Sequence, residues 1–423
     1  MSKPTLDQLI TNPSCMDDYD PNSMPVEKAR QFIKQFLEPV TTTETLNLHD
    51  CLGRILAADI LSPADVPNYD NSAMDGYALS AADLTAAELK VIGTAFAGKA
   101  FDGVVNSGEC VRIMTGAVMP QGTDTVVMQE KTSRNGDYIK IAEAPKPRAN
   151  VRYAGEDLQL GQAVLNNGHL IRPADLGLLA SLGIAQVNVY RKLKVAFFST
   201  GDELVGVGQP LASGQVYDSN RYTLYGMLAR LGVEIIDLGA IADDRNMLER
   251  TLLNAAETAD VVITSGGVSV GEADYMKALL SQHGQVMFWK IAMKPGRPLA
   301  YGKIGKAHYF GLPGNPVAVM VTFYQFVRDA LLCLMGQTEI KPLPTFMVEC
   351  TAPIKKLSGR TEFQRGILFQ DDNGIWKVKP TGPQGSAILS SMSLANCFIV
   401  LDVTVGNLDA GAMVQVQVMD GLV

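Results

Sequence analysis

Apolar and polar positions change their period several times in the middle of the chain. Between about residues 194 and 337, short apolar runs alternate with segments whose apolar residues recur at helical spacing. The runs lie at 195–199, 233–241 and 261–264, and the helical segments at about 221–231 and 245–258. This alternation predicts βαβ units, a mostly parallel sheet and helices on both faces. Such sheets bind ligands outside the carboxyl ends of their strands, so we expect the functional groups there.

The two flanks of this α/β region carry other patterns. A helical pattern covers 26–37, and between about 90 and 144 short apolar runs alternate with glycine-bearing turns, which predicts β structure. A second β-rich part is expected after residue 341. The dipeptides Asn135-Gly136 and Asn373-Gly374 each separate two apolar runs, and both predict a β-hairpin.

Two further segments, 63–79 and 145–158, are rich in turn formers and are interpreted as irregular loops. Together these patterns predict a multidomain α/β plus β protein. The predicted domains are a discontinuous helical linker domain (1–44 and 159–192), an inserted β-rich domain (45–158), an α/β domain (193–338) and a barrel-like C-terminal β domain (339–423).

The composition narrows the class of protein. A net charge of −8 offers no basic excess for a general nucleic-acid binder. No apolar run approaches the roughly 18 residues of a membrane span, and the N-terminus lacks an apolar signal region. The six scattered cysteines, without a C-x-x-C pair, indicate reduced thiols in a cytoplasmic protein. The four histidines are isolated, so we expect any metal to be a hard cation held by oxygen.

Acidic residues follow three of the predicted strands. A single acid in this position is ordinarily an N-cap, whereas acids after three strands of one sheet indicate a site for a hard cation or a polar ligand. Glycines after the third strand allow backbone to approach a ligand closely, or they only make a turn. The acids are Asp202, Glu203, Asp243, Asp244, Glu272 and Asp274, and the glycines are Gly266, Gly267 and Gly271.

Basic residues are expected near the same edge. Lys290, Lys294 and Arg297 flank a Pro-Gly pair and form either a solvated face or a phosphate clamp. The stretch GLPGNP at 311–316 predicts a rigid turn into a helix at about 316–335. Acids for a magnesium ion beside bases for phosphates are typical of sites that process a nucleotide or pyrophosphate.

With these motifs the chain resembles the molybdopterin molybdenumtransferases, the MoeA family, which is related to the gephyrin E domain. Ala318 departs from the expected pattern, since we expected Ser there. The matching stretches are NSAMDGYA (71–78), RIMTGA (112–117), VRYAGEDL (151–158), STGDEL (199–204), TSGGVSVGEADYMK (264–277), WKIAMKPGRPLAYG (289–302), GLPGNP (311–316) and FQRG (363–366), together with Asp243.

The resemblance implies a cytoplasmic transferase that inserts molybdenum from molybdate into adenylylated molybdopterin and releases AMP with the help of Mg²⁺. It also implies a homodimer with shared active sites, supplied by a molybdopterin adenylyltransferase upstream. The implied catalytic residues are Asp75, Asp157, Glu203, Asp243, Asp274 and Lys294, with Asp243 and Asp274 as metal ligands. The implied substrate-binding residues are Thr115, Ser265, Gly266, Gly267, Ser269, Lys290, Arg297, Pro313, Pro316 and Arg365.

Two alternatives stay open from the sequence. The α/β region by itself resembles the molybdopterin adenylyltransferases, which attach AMP at the same strand ends. The chain could also be a non-catalytic scaffold, because the gephyrin E domain has a clustering role. The extra motifs NSAMDGYA and AGEDL favour the transferase over the adenylyltransferase.

Overall fold

The computed structural model describes residues 23–267 and 273–419. The chain divides into two compact units. The first unit comprises Met1–Glu44, Gly53–Ile55 and Val189–Val423, and the second comprises Thr45–Leu52 and Leu56–Asn188. The four-domain division expected from the sequence stays a prediction.

The helices are short, and the four whose ranges the sequence predicts begin within two residues of the expected starts. Helix α4 matches its predicted range, and α1 ends two residues before its own. The helices are α1 (Val26–Gln35), α2 (Pro173–Ser181), α3 (Ser219–Leu231), α4 (Arg245–Thr258), α5 (Ala273–His283), α6 (Pro316–Thr322), α7 (Arg328–Leu334) and α8 (Ser390–Leu394). A π-helical segment, Phe323–Val327, joins α6 to α7.

The second unit contains a six-stranded sheet in the order β7-β4-β6-β5-β9-β8. Strand β1 (Thr43–Asn47) pairs with β12 (Gln186–Tyr190). The strands between them are β2 (Ile60–Leu61), β3 (Asn71–Ser72), β4 (Gly76–Leu79), β5 (Leu89–Ala95), β6 (Glu109–Ile113), β7 (Thr125–Met128), β8 (Thr132–Asn135), β9 (Tyr138–Ile141), β10 (Val151–Arg152) and β11 (Ala163–Leu165). The hairpin predicted at Asn135-Gly136 is confirmed, since β8 and β9 pair antiparallel around it.

The interpretation of 63–79 as an irregular loop is wrong for its last part. Strand β4 is buried and lies between β7 and β6. A Cβ at Gly76 would lie 2.1 Å from the Val127 carbonyl oxygen, so glycine is required here for close strand packing.

The first unit contains the predicted α/β sheet, in the order β16-β13-β17-β21-β20-β18. The four strands at the β16 end pair in parallel, whereas β20 and β18 pair antiparallel, so the sheet is mixed. The strands are β13 (Lys194–Thr200), β14 (Leu204–Val205), β15 (Val216–Tyr217), β16 (Glu234–Ile241), β17 (Val261–Ser265), β18 (Gly284–Lys290), β19 (Met293–Lys294), β20 (Pro298–Ile304) and β21 (Ala307–Leu312).

Alternation along the strands buries both faces of this sheet. Phe198 and Val262 belong to a core cluster with residues of α4 and α5, among them Leu252 and Leu279. Phe197 is also fully buried and points to the opposite face, because successive side chains of a strand alternate. Helices α3 and α6 contact each other as well as strands β13 and β21 of the sheet. The near-continuous apolar runs in the sequence therefore reflect burial on both faces.

The C-terminal part of the first unit is a closed five-stranded barrel, as the sequence predicts. Strands β23, β24, β22, β26 and β25 follow one another, and β25 pairs back with β23. The hairpin predicted at Asn373-Gly374 is confirmed between β23 and β24. The strands are β22 (Thr345–Cys350), β23 (Thr361–Gln370), β24 (Trp376–Pro380), β25 (Cys397–Leu401) and β26 (Met413–Val418).

One helical stretch corrects the expectation about apolar length. Pro316–Leu334 spans 19 residues with a mean hydropathy of 1.6, which is long and apolar enough to cross a membrane. However, 83% of its most apolar window is buried inside the structure, which is typical of a core helix. Gln325 and Arg328 divide this stretch into shorter apolar runs, so no single uninterrupted run in the sequence reaches the length of a membrane span.

Candidate active site

The strand order places a topological switch point between β13 and β17. After β13 the chain moves to one side and forms β16, and it then returns to the other side of β13 to form β17. Where the connections after two neighbouring strands lead in opposite directions, a crevice opens at the carboxyl ends of the strands, and open α/β sheets bind ligands there. In this chain the crevice is bordered by the segments that follow Thr200 and Ser265.

The two glycines directly after β17 are required by their backbone conformation and by close contact with Thr200. Gly266 and Gly267 have φ values of +92° and +67°, a region that favours glycine. A Cβ at Gly266 would lie 2.6 Å from the Thr200 carbonyl oxygen, and one at Gly267 would lie 3.1 Å from the Thr200 Oγ1. The two loops that border the crevice are therefore in direct contact. Ser269 lies outside the described residues.

Three carboxylates come together beside this crevice. The Asp243 amide donates a hydrogen bond to Asp202 Oδ1 at 3.0 Å, and the Glu203 carboxylate folds back over Gly201. Burial raises the pKa of the Asp243 carboxyl, and the charges of Asp202 and Glu203 raise it further. Two of the three predicted acid pairs thus contribute to one acidic cluster.

The other acids have different positions. Asp244 is the N-cap of α4, and its side chain accepts a hydrogen bond from the Met247 amide at 2.8 Å. For this residue the expectation of an ordinary helix cap is confirmed. Asp274 belongs to the first turn of α5, at the carboxyl edge of the sheet, and Glu272 lies outside the described residues. Among the described residues, no three His, Cys, Asp or Glu side chains are grouped closely enough to hold a metal ion.

Sequence reasoning missed Asn220, which connects two loops of the site. Its Nδ2 donates to Ser265 Oγ at 2.8 Å and to the Gly314 carbonyl at 2.7 Å. Its helix is capped by Asp218, which accepts the Arg221 amide and the Ser199 hydroxyl. The available signal was the N-cap pattern Asp218-Ser-Asn ahead of a helix that follows a predicted strand-end loop.

Two basic residues of the proposed phosphate clamp, Lys290 and Lys294, lie in different environments. Lys290 ends β18 opposite Pro298, at the carboxyl edge of the sheet. Lys294 belongs to β19, which pairs in parallel with β23 of the barrel, and its Nζ lies 3.5 Å from Glu362 Oε1. The Glu362 side chain is only 4% exposed and that of Lys294 is 51% exposed, so a buried carboxylate holds an accessible ammonium group.

The GLPGNP turn is supported from the barrel. Pro313 precedes the exposed Gly314, and Pro316 is the first residue of α6, where a missing N–H costs nothing. The Val317 amide in the first turn of α6 donates to the Ser386 carbonyl at 3.1 Å. The segment 383–391 that contains Ser386 thereby caps the helix that the predicted turn delivers.

Arg365 holds this barrel segment from inside. Arg365 is 1% exposed, and its guanidinium group donates to Ser391 Oγ at 2.9 Å and to the Gly385 carbonyl at 2.9 Å. Burial lowers the pKa of Arg365 to about 10, so the side chain stays charged at neutral pH. The substrate contact that the resemblance implies for Arg365 stays a prediction. In the structure its hydrogen bonds hold the segment 383–391 in place.

The second unit holds the remaining candidate residues. Asp75 Oδ1 accepts the Thr115 amide at 2.7 Å and the Thr115 hydroxyl at 2.9 Å. The backbone hydrogen bond, followed by the hydroxyl, holds the pKa of Asp75 below its ordinary value. Asp157 is exposed, and its amide donates to the Val66 carbonyl at 3.0 Å. Asp75 and Thr115 therefore form one ionised, preorganised pair.

Comparison with known proteins agrees with this layout. The chain matches three family models: the MoeA N-terminal region (domains I and II) over 24–183, a probable molybdopterin binding domain over 196–332, and the MoeA C-terminal region (domain IV) over 347–419. It is 48% identical over 394 residues to a molybdopterin molybdenumtransferase of Haemophilus influenzae, which covers 93% of this chain and 98% of that protein.

Two further matches extend the comparison. A gephyrin of Dictyostelium discoideum is 34% identical over 93% of this chain and 62% of its own length. The crystal structure of a molybdopterin biosynthesis MoeA protein from Pyrococcus horikoshii superposes with a TM-score of 0.81 at 30% identity, covering 94% of this chain and 100% of that chain. Motifs, fold and full-length similarity agree, and the chain therefore belongs to the molybdopterin molybdenumtransferases, the MoeA family.

Proposed function

We propose that this transferase inserts molybdenum from molybdate into adenylylated molybdopterin and releases AMP. The observation that carries the proposal is the cluster of Asp202, Glu203 and Asp243 at the carboxyl ends of β13 and β16, beside the switch point, where the pKa of Asp243 is raised. Carboxylates that repel one another are stabilised by a cation, and a substrate rich in phosphate needs the same cation. Lys290 lies at the carboxyl end of β18, at the other end of the sheet from β16, where it would bind a more distant phosphate oxygen of the substrate.

Magnesium is compatible with a site in which fewer than three protein carboxylates of the described residues lie close enough together to hold one ion. Mg²⁺ prefers oxygen ligands and usually takes only one or two carboxylates from the protein, with phosphates and water completing its shell. Asp243 and Asp274 would hold the ion, and Glu203 would maintain the loop beside it. When bound, the ion would neutralise the negative charge that develops on the phosphates as AMP leaves.

The basic residues bind and orient the anionic substrates. Lys294 is held by Glu362 but remains accessible, so its ammonium group can bind a molybdate or phosphate oxygen without a large reorganisation. Arg297 belongs to the same segment and would bind a second oxygen. The segment after β17 would lie close to the phosphates, because its glycines carry no side chains that would separate its backbone from a ligand.

The assay that tests this function measures AMP release from adenylylated molybdopterin with and without molybdate. We expect AMP release that depends on molybdate and on a divalent cation. Consumption of ATP with attachment of AMP to molybdopterin would instead favour the adenylyltransferase alternative. Absence of both activities in folded protein with magnesium supplied would contradict the proposal.

We further propose a homodimer in which each active site combines Asp75 and Asp157 of one subunit with Asp243 and Asp274 of the other. These loops of the second unit expose Asp75 and Asp157, so both carboxylates are accessible to another chain. An isologous two-fold contact would create two such sites in each dimer.

Mixed dimers test the shared site. Asp75→Ala and Asp274→Ala homodimers should both be inactive. In a mixed dimer one site collects both defects and the other none, so co-refolding should restore roughly a quarter of wild-type activity. Verified mixed dimers without any activity would show that each site is built within one chain.

The substrate chemistry also indicates a supplier. Adenylylated molybdopterin must come from an adenylyl transfer, so we propose a molybdopterin adenylyltransferase as the upstream partner. A cytoplasmic location agrees with the cysteines, since the five in the described part of the chain are unpaired by disulfides and four of them are buried.

A further inference from the structure

Asn220 uses both N–H groups of its side-chain amide to bridge two segments of the crevice. One group donates to Ser265 Oγ at 2.8 Å and the other to the Gly314 carbonyl at 2.7 Å. Ser265 ends β17, and Gly314 belongs to the turn after β21. A primary amide has only two N–H donors, so this side chain is fully committed as a donor.

The two bridged segments are themselves in close contact. The Gly266 amide donates to the Leu312 carbonyl at 3.2 Å, and a Cβ at Gly314 would lie 3.8 Å from Gly266 Cα. Ser265 is 2% exposed, so its hydroxyl is an interior anchor, whereas Gly314 is exposed. Asn220 therefore ties an exposed backbone turn to a buried strand end.

The start of α3 gives Asn220 a rigid base. The N-cap Asp218 is 4% exposed, and its Oδ1 accepts the Arg221 amide at 3.1 Å and the Ser199 hydroxyl at 3.0 Å. Ser199 belongs to β13, the strand on the other side of the crevice. Asn220 thus connects the ends of three strands, β13, β17 and β21, through one helix N-terminus.

We propose that Asn220 is a positioning residue of the transferase site, a role that rests on the proposed function. It holds the turn 311–316 against the segment 265–267, so that the backbone that meets the substrate phosphates is preorganised. Without the amide, the turn has to be ordered by the substrate itself, and part of the binding free energy is lost.

The matched control is Asn246. It occupies the same place in α4 as Asn220 does in α3, second in the helix after an aspartate N-cap, but it is exposed. Asn220→Ala and Asn246→Ala therefore make the same chemical change at equivalent helix positions. Asn220→Asp is a third variant, because its carboxylate can accept a hydrogen bond from the Ser265 hydroxyl but has no N–H group to donate to the Gly314 carbonyl.

The first measurement is amide hydrogen exchange of the full chain without substrate. In Asn220→Ala the Gly266 amide should exchange at least about tenfold faster, since two hydrogen bonds that hold the segments together are gone. Amides in the centre of β13 should not change. Asn246→Ala should exchange like the wild type, and Asn220→Asp should lie between the two.

The second measurement is AMP release from adenylylated molybdopterin. Asn220→Ala should raise KM for this substrate by about tenfold, the fold-change expected for the loss of two neutral hydrogen bonds, while kcat changes by less than about threefold. A merely structural role would lower the amount of active enzyme and leave KM unchanged. Asn246→Ala should have wild-type kinetics.

The outcomes separate this inference from the proposed function. Faster exchange at Gly266 together with a raised KM supports the positioning role. Unchanged exchange overturns it, and so does faster exchange with an unchanged KM in active enzyme. A wild-type protein without AMP release would overturn the proposed function instead, and the exchange data would still decide whether Asn220 joins the two segments. If Asn220→Ala unfolds, Asn220→Asp decides in its place.

Discussion

Acidic residues at the two edges of the α/β sheet have pKa values that are shifted in opposite directions. At the carboxyl edge, Asp243 lies near Asp202 and Glu203, and both burial and these neighbouring charges raise its pKa. At the amino edge, Asp260 precedes β17 and accepts two hydrogen bonds of 2.7 Å from Arg191 and one of 2.8 Å from the Lys194 amide. The same sheet thus contains one carboxylate whose charge is disfavoured and another whose charge is satisfied.

The carboxylate at the amino edge contributes to stability, whereas those at the carboxyl edge are arranged as in a binding site. Burial alone would raise the pKa of Asp260, but the hydrogen bonds from Arg191 and Lys194 outweigh it and hold the pKa below its ordinary value. Asp260 therefore stabilises the fold in its ionised form. The crowded carboxylates at the other edge cost stability, and such an arrangement is typical of a binding site.

The largest effect should come from Asp243→Asn. We expect AMP release to fall by about a hundredfold or more, because a charge that would stabilise the cation and the departing phosphate is removed. The melting temperature should not fall, since the lost charge was disfavoured. Steady-state kinetics and calorimetry at pH 7 measure the two effects.

Asp244→Asn is the matched control for that variant. Asparagine caps helices as well as aspartate does, so α4 and the activity should both be retained. An Asp243→Asn enzyme with normal AMP release would show that the acidic cluster is not part of the active site.

The next effect concerns His308 at the amino edge, whose amide donates to the Asp260 carbonyl. His308 is 5% exposed, and burial, followed by the charge of Lys303, lowers its pKa to about 4. The unfolded chain takes up this proton near pH 6.5, but the folded chain does not. The free energy of unfolding should therefore decrease by about 3 kcal/mol as the pH falls from about 6.5 to 4.

Urea unfolding at several pH values tests this linkage. His308→Gln should lose this part of the pH dependence, whereas His49→Gln, at an exposed position, should keep it. Identical pH profiles for His308→Gln and the wild type would show that His308 is not the residue responsible.

A smaller loss is expected for Asp260→Asn. The variant keeps the size of the side chain but weakens charge-assisted hydrogen bonds to Arg191, so unfolding should cost about 2 kcal/mol less. AMP release at 25 °C should be retained, because the amino edge lies at the other end of the strands. A stable variant with reduced activity would reverse the assignment of the two edges.

The smallest effect is a gain in stability. Glu203→Gln removes one charge that repels Asp243, and at pH 7 the melting temperature should rise by about one degree. The gain should vanish as the pH falls and the carboxyl groups become protonated, because the pKa of Asp243 is raised in the folded state. The AMP release of the Glu203→Gln variant should be lower than that of the wild type. A lower melting temperature at pH 7 would indicate that Glu203 stabilises the loop more than it repels Asp243.

Some features could be read from residue order alone. The apolar runs at 195–199 and 261–264 predicted buried strands, and the Asn-Gly pairs predicted hairpins, because backbone geometry and burial act on neighbouring residues. The family motifs likewise identified the candidate residues. The short strand β4 escaped prediction, because its glycine serves a contact with Val127, a residue distant in the sequence.

What only the tertiary structure decided is which distant residues meet. The sequence placed acids after several strands, but strand order selected Asp202, Glu203 and Asp243 as one cluster and left Asp244 as a helix cap. It also placed Lys294 beside Glu362 and Asn220 between two loops, pairings that span many residues of chain. Local patterns carry the period of a strand or helix, whereas such contacts depend on how the strands are ordered in the sheet and barrel.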